Sequence, residues 1–176
     1  PRDPSLSVSL RQPGGNKEPM ELRIKKLFPT ATLPTRKKAW DSGLDLHAYL
    51  LDGPVHLEPG KQTRIFTGVA IQLPPPEMTY RDNGVWTVNV GYEAQVRPRS
   101  GMTKNGLVVP IGTIDNGYRG DIGVVVFNHS FQYHIIRHGD RIAQLVVCPV
   151  AYPAVVEVEE LSETERGADG FGSTGV

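Results

Sequence analysis

A single cysteine, Cys148, excludes an intrachain disulfide from this chain of 176 residues. Its apolar setting, Leu145-Val146-Val147-Cys148, suits a buried inert thiol better than a nucleophile and points to a reducing compartment. Net charge is missing too. Lys and Arg together number 19, as do Asp and Glu, so no general nucleic-acid-binding surface is expected, although a local basic pocket remains compatible. No apolar run approaches the ~20 residues of a membrane span, and no signal peptide is visible. The expected location is cytoplasmic, with a nuclear or viral-host setting also compatible, and with no nucleic-acid or membrane partner. There is no Walker motif and no metal-ligand cluster. His47, His56, His129, His134 and His138 lack spacings such as HExxH and read as structural or surface residues. Helical periodicity is absent as well, because nowhere do apolar residues keep a 3.6-residue period for three turns.

What the chain does have is turn formers. Its 19 Gly and 15 Pro make roughly a fifth of the residues, above the usual ~12%. Residues 1–19 read as a flexible extension, either native or an expression remnant, with Met20 a candidate original start. A first strand is expected at Glu21–Leu27 and a second from Ser42 to Leu51. Turns follow at Asp52-Gly53-Pro54 and Glu58-Pro59-Gly60. Thr63 to Leu73 is rich in β-branched residues and reads as one strand, ended by Pro74-Pro75-Pro76. Residues 77–84 read as a loop. Trp86, Val88, Val90, Tyr92, Ala94 and Val96 then alternate with polar residues, the period-2 pattern of a half-buried strand. Gly101–Gly106 suits one helical turn. Ile122–Phe127 is a continuous apolar run, expected to be buried on both faces. Ile135-Ile136, Ile142–Val150 and Val155–Val158 supply further strands. Regularly spaced short strands of this kind predict one all-β barrel or sandwich.

Five stretches carry candidate chemistry. Gly112-Thr113-Ile114-Asp115-Asn116-Gly117-Tyr118-Arg119-Gly120 holds Asn116-Gly117, a signal for a type I′ hairpin turn. Such a hairpin would present Asp115 and Tyr118 side by side on a two-stranded arm. Ser42-Gly43-Leu44-Asp45-Leu46 puts a carboxylate in a strand beside a glycine. Arg97-Pro98-Arg99-Ser100-Gly101 offers guanidinium forks, a hydroxyl and backbone N–H groups, which suit phosphate oxygens. Gly139-Asp140-Arg141-Ile142-Ala143-Gln144-Leu145 sets the amide of Gln144 in an apolar strand, where it needs partners. Arg166 to Val176 interleaves glycines with Arg166, Phe171, Ser173 and Thr174. Taken singly, each stretch also reads as ordinary structure: a hairpin, a surface aspartate, a solvated loop, a core amide and a disordered tail. Taken together, they supply one unpaired carboxylate and several phosphate clamps without a covalent nucleophile. That set suggests water attack on a phosphoanhydride, with any metal held by substrate phosphates rather than by a protein cage.

In this order the five stretches resemble the five motifs of homotrimeric dUTP pyrophosphatases (dUTPases), over about residues 21–176. The resemblance implies a jelly-roll-like β-barrel at 20–160 and a C-terminal arm at 161–176. It also implies a homotrimer with three active sites at subunit interfaces. Asp115 would be the general base that activates a water for attack on the α-phosphorus of dUTP, giving dUMP and pyrophosphate. Such a reaction keeps uracil out of DNA and supplies dUMP for dTMP synthesis. Tyr118 would lie under the deoxyribose, and backbone groups of Gly112, Thr113 and Ile114 would read the uracil edge. Arg99, Ser100, Gly101 and Gln144 would hold the phosphates, and Asp45 would order the site and a hydrated Mg2+. Arg166, Ser173 and Thr174 would bind the γ-phosphate, and Phe171, beside Gly172, would stack over the uracil.

Three features depart from the family pattern: Asp169 where Gly is common, Met102 where Leu is common, and a longer segment at 75–90. That segment would extend a hairpin or offer a surface to a protein partner. Two competing readings differ in class. A dCTP deaminase or bifunctional enzyme would need a glutamate in the third motif, yet none lies between Gly101 and Val156. A regulatory or partner-binding protein on the same fold would not need Asp115 and Tyr118.

Overall fold

The computed structural model describes residues 20–80 and 86–168, with only the backbone for 77–80 and 86–89. The expected extension at 1–19, the tip of the 75–90 segment and residues 169–176 lie outside the described residues.

The described backbone forms short strands and one five-residue helix. They are β1 (Arg23–Lys26), β2 (Leu44–His47), β3 (Val55–Leu57), β4 (Gln62–Phe66), β5 (Val69–Gln72), β6 (Glu77–Tyr80) and β7 (Trp86–Arg97). There follow α1 (Ser100–Lys104), β8 (Leu107–Val108), β9 (Gly112–Ile114), β10 (Gly123–Asn128), β11 (His134–Ile136) and β12 (Arg141–Tyr152). The largest sheet runs β2-β12-β7-β6, with β9 also on β7; the others are β4-β10-β8, β1-β5 and β11-β3. Each of these pairings is antiparallel. The result is the expected all-β, jelly-roll-like barrel. Among the described residues no helix is long and apolar enough to cross a membrane.

Side-chain alternation explains the core. In β2, Leu44 and Leu46 point inward while Asp45 and His47 take the other face. Ala94 and Val96 of β7, Val124 and Val126 of β10, and Ile142, Ala143 and Leu145 of β12 complete the same cluster. Each fully buried Leu, Ile or Val contributes about 1.5–3 kcal/mol. The buried polar Asn128 is fully engaged. Its Nδ2 donates to the carbonyls of Leu57 (2.9 Å) and Gln132 (2.7 Å), and its Oδ1 accepts from the Ser130 N–H and hydroxyl.

Several expectations need correction. The run Thr63–Leu73 is two strands in two sheets, split at Gly68, whose φ is +70°. A side chain there would be strained by that φ, and its Cβ would lie 2.9 Å from Ala31 Cβ and Tyr49 Cγ. Residues 77–80 are not loop but β6, paired with the start of β7. Ile122–Phe127 is buried on one face only, because Val125 and Phe127 point away from the core. The second strand is four residues long rather than ten. Val90 is 44% exposed because β7 runs on past the core. Val155–Val158 forms no strand, and its valines are exposed. Cys148 is half-buried rather than buried, and Arg97 Nη2 donates to its Sγ at 3.4 Å.

Candidate active site

Strand register builds the first half of the site. Asp45 of β2 lies opposite Gln144 of β12, and Gln144 lies opposite Arg97 of β7. The main chain of Asp45 is fixed by an N–H bond to Thr35 O at 2.9 Å. Its carboxylate is shared: Oδ1 accepts Arg99 Nε at 2.9 Å, and Oδ2 accepts Arg141 Nη1 at 3.3 Å. The Asp45 side chain is 13% exposed and that of Arg99 22%, so this is not the surface aspartate that its stretch alone would suggest. Arg99 Nη1 also donates to the Arg141 carbonyl at 3.3 Å. Gly43 is explained by close approach, since a Cβ there would sit 3.0 Å from the Gln144 side chain. Gln144 is half-buried rather than enclosed. Ser100 and Gly101 open α1 and are exposed.

His47 is a neighbour that motif reading does not select. It lies opposite Arg141 in the β2–β12 register, and its buried Nδ1 has no hydrogen-bond partner. Burial lowers the imidazole pKa below its ordinary 6.5; Asp45 opposes the shift, while Arg141 and Arg99 add to it.

The second half is the loop after β9. Its Asn116-Gly117 turn is not type I′. Neither residue has a positive φ, and the Tyr118 N–H donates to Asp115 O at 3.0 Å. The loop is not the tip of a two-stranded arm either, because β9 pairs with β7 while β10 pairs with β4 and β8. Asn116 serves through its side chain instead: Nδ2 donates to the carbonyls of Pro74 (2.8 Å) and Tyr92 (3.2 Å). Arg119 Nη1 ties the turn further by donating to the carbonyls of Asn116 (2.6 Å) and Tyr118 (2.8 Å). The loop thus carries an exposed Asp115 carboxylate on a braced backbone. Among the described residues, β9 pairs with β7 alone. Its outer edge runs along Gly112, Thr113 and Ile114.

Asp115 and Tyr118 line a cavity of about 260 Å³ with Thr113, Ile114, Asp121 and Arg64. The Arg64 guanidinium stacks on Phe66 at 4.8 Å, a cation–π contact. Burial pushes the Asp121 carboxyl above its ordinary 3.8, against hydrogen bonds from Gly68, Thr67 and Val69. Sequence reading passed over Arg64, Asp121 and Arg141 as site residues. Arg141 stands inside a quoted motif, but Arg64 and Asp121 are marked only by the tertiary fold.

Asp45, Arg99 and Gln144 are absent from the lining of the Asp115 cavity. In the tail, Arg166 is exposed in the turn at 165–168, where the Gly167 N–H donates to the Thr164 hydroxyl at 3.1 Å. Phe171, Gly172, Ser173 and Thr174 lie outside the described residues. Among the described residues no group of three or more His, Cys, Asp or Glu could hold a metal ion.

An all-β barrel with an exposed carboxylate on one braced loop and a guanidinium–amide cluster on a neighbouring face defines a nucleotide-handling β-barrel protein. The family model for dUTPase matches residues 79–175. Deoxyuridine 5'-triphosphate nucleotidohydrolase of Nautilia profundicola is 43% identical over 159 residues, covering 89% of this chain and 99% of that protein. The enzyme of the same name from Syntrophotalea carbinolica is 41% identical, covering 88% and 96%. Among solved structures, the Staphylococcus bacteriophage 80alpha dUTPase with dUPNHPP superposes with a TM-score of 0.71 at 30% identity, covering 89% and 99%. A mutant dUTPase of phage phi11 of S. aureus, which reveals the coordination of a structural Mg(II) ion, gives 0.66 at 26% identity, covering 81% and 99%. The chain belongs to the dUTPase family.

Proposed function

We propose that the protein is a dUTP diphosphatase and that its site works as follows. Asp115 takes a proton from a water molecule. The water oxygen bonds to the α-phosphorus, the bond from that phosphorus to the bridging oxygen breaks, and pyrophosphate leaves dUMP behind. A carboxylate on an exposed, braced loop suits a general base that must meet water. The outer edge of β9, at Gly112, Thr113 and Ile114, offers main-chain groups to the uracil edge, and Tyr118 is the platform for the sugar. Arg99, Ser100, Gly101 and Gln144 hold the phosphates. Asp45 fixes the Arg99 fork through Nε and leaves Nη2 turned to a ligand. Arg166, Ser173 and Thr174 close on the γ-phosphate, and Phe171, beside Gly172, covers the base.

The chain's donors fit a magnesium ion that arrives on the nucleotide. Both Asp45 oxygens already face guanidinium groups, and no three-ligand cluster occurs among the described residues. When bound, Mg2+ supplies charge neutralisation of the triphosphate. Asp45 would order the hydrated ion's surroundings.

The observation that carries this reading is the Asp45–Arg99–Gln144 cluster set by the β2–β12–β7 register, beside a braced loop that exposes the Asp115 carboxylate. The assembly that this reading implies is a homotrimer whose sites join the Asp115 loop of one subunit to the phosphate cluster of another. The exposed Val155 (98%) and Val156 (74%) after β12 and Leu161 (86%) at the start of the arm support packing on a neighbour. The lone cysteine supports a cytoplasmic setting. The 75–90 segment remains a candidate surface for a protein partner. No observation favours a deaminase.

Pyrophosphate release measured across dUTP, dCTP, dTTP and UTP tests the activity. Release from dUTP alone is expected; release from dCTP, or none from dUTP, contradicts the reading.

A further inference from the structure

Asp121 has no role in the reaction just described, yet it joins the Tyr118 ring to the core. Its Oδ1 accepts the Gly68 N–H at 2.9 Å, with longer contacts from the Thr67 N–H (3.3 Å) and hydroxyl (3.4 Å). Thr67 is 1% exposed, and Gly68 is the positive-φ bend between β4 and β5, pressed against Ala31 and Tyr49. The bend is thus buried, closely packed and hydrogen-bonded. The flanking Ile122 reinforces it: its N–H donates to Val69 O at 3.0 Å, and its carbonyl accepts the Thr67 hydroxyl at 3.0 Å.

On the other side, the main-chain carbonyl of Asp121 accepts the Tyr118 hydroxyl at 2.9 Å. The ring lies over Gly120, where a Cβ would come within 2.6 Å of Tyr118 Cζ. Tyr118 is 46% exposed, so packing alone does not immobilise it. Its hydroxyl bond is the remaining restraint, and that bond is only as fixed as residue 121. Steric rejection of a ribose 2′-hydroxyl requires a platform that does not retreat. A displacement of about 1 Å would make room for one oxygen and would also disturb reactive alignment.

We propose that Asp121 is a positioning residue that pins the Tyr118 platform to the β4–β5 bend and so sets the preference for deoxyribose over ribose. The proposal rests on the reading of Tyr118 as the sugar platform. Asp121 thus acts on specificity through Tyr118.

The test measures kcat and KM for dUTP and UTP in the full-length protein and in Asp121→Ala, Asp121→Asn, Tyr118→Phe and the Asp121→Ala/Tyr118→Phe double variant. Losing the Oδ1 bonds to Gly68 and Thr67 frees the main chain that accepts the Tyr118 hydroxyl and should narrow the dUTP/UTP ratio of kcat/KM by about fivefold or more in Asp121→Ala. Asp121→Asn keeps an acceptor oxygen toward Gly68 and should stay within about threefold of wild type on the same scale. Tyr118→Phe should narrow the ratio in the same direction, and the double variant should go no further than the larger single, because both break one chain of bonds. A purely structural Asp121 would lower thermal stability and leave the ratio unmoved, which overturns the proposal. If Asp121→Ala fails to fold, an unchanged ratio in Tyr118→Phe overturns it equally. Wild type that hydrolyses UTP as readily as dUTP would instead refute the platform reading, and the proposal with it.

Discussion

Asp45 and Asp115 are both carboxylates beside the β7 sheet, yet one is clasped between Arg99 and Arg141 and the other stands exposed on a loop. The contrast extends to their surroundings. The Asp45 half is built by strand register, with side chains locked in rows across β2, β12 and β7. The Asp115 half is built by bonds to main-chain carbonyls, through Asn116, Tyr118 and Arg119. A carboxylate tied into ion pairs is a poor proton acceptor but a good way to aim guanidinium groups. A carboxylate free in solvent, on a braced backbone, can take a proton from water. On the proposed function, the fold divides holding from reacting.

The sharpest way to break this contrast is to exchange its consequences. Asp115→Asn should lower kcat by at least ~10³ while KM for dUTP changes little, since it removes a reacting group and leaves the clamps. Arg99→Ala should act the other way, raising KM by about 10–100-fold for the loss of a charge-assisted contact. Steady-state kinetics on both variants separates the roles. If Asp115→Asn weakens binding and Arg99→Ala mainly slows turnover, the division is drawn in the wrong place.

The smallest expected effect sharpens the Asp45 side through pH. His47 has a folded-state pKa below its unfolded value of about 6.5. The unfolded chain therefore binds the proton more readily, and the stability linked to a neutral His47 is present above pH 6.5 and lost as pH falls below it. Thermal melts between pH 8 and 5 should show a shallower acid loss in His47→Gln than in wild type. Parallel curves would mean that His47 is indifferent to the charged cluster.

Much of this was legible in the chain itself. Alternation in Tyr92–Val96 placed Ala94 and Val96 on the inward face correctly, because one buried face imposes period 2. The five stretches named the residues of the phosphate cluster. Tertiary bonds decided the rest. Asn116-Gly117 satisfied the local signal for a type I′ turn, but the Asn116 side chain bonds Pro74 and Tyr92 instead, and the turn passes between sheets. The break at Gly68 was hidden because the β-branched pattern continues on both sides of it. Asp121 looked like any polar residue after a glycine, because its partners, Thr67 and Gly68, lie more than fifty positions away.

The central claim is that each working site joins the Asp115 loop of one subunit to the Arg99 cluster of another. Mixing and reassembling Asp115→Asn and Arg99→Ala subunits, assayed at dUTP far below the raised KM of Arg99→Ala so that each variant alone is nearly inactive, tests it most directly. Mixed trimers should recover a substantial fraction of wild-type dUTP turnover, because some sites then pair an intact Asp115 with an intact Arg99. If the two halves served the same site from a single chain, no mixture would contain an intact site, and activity would stay at the level of the separate variants.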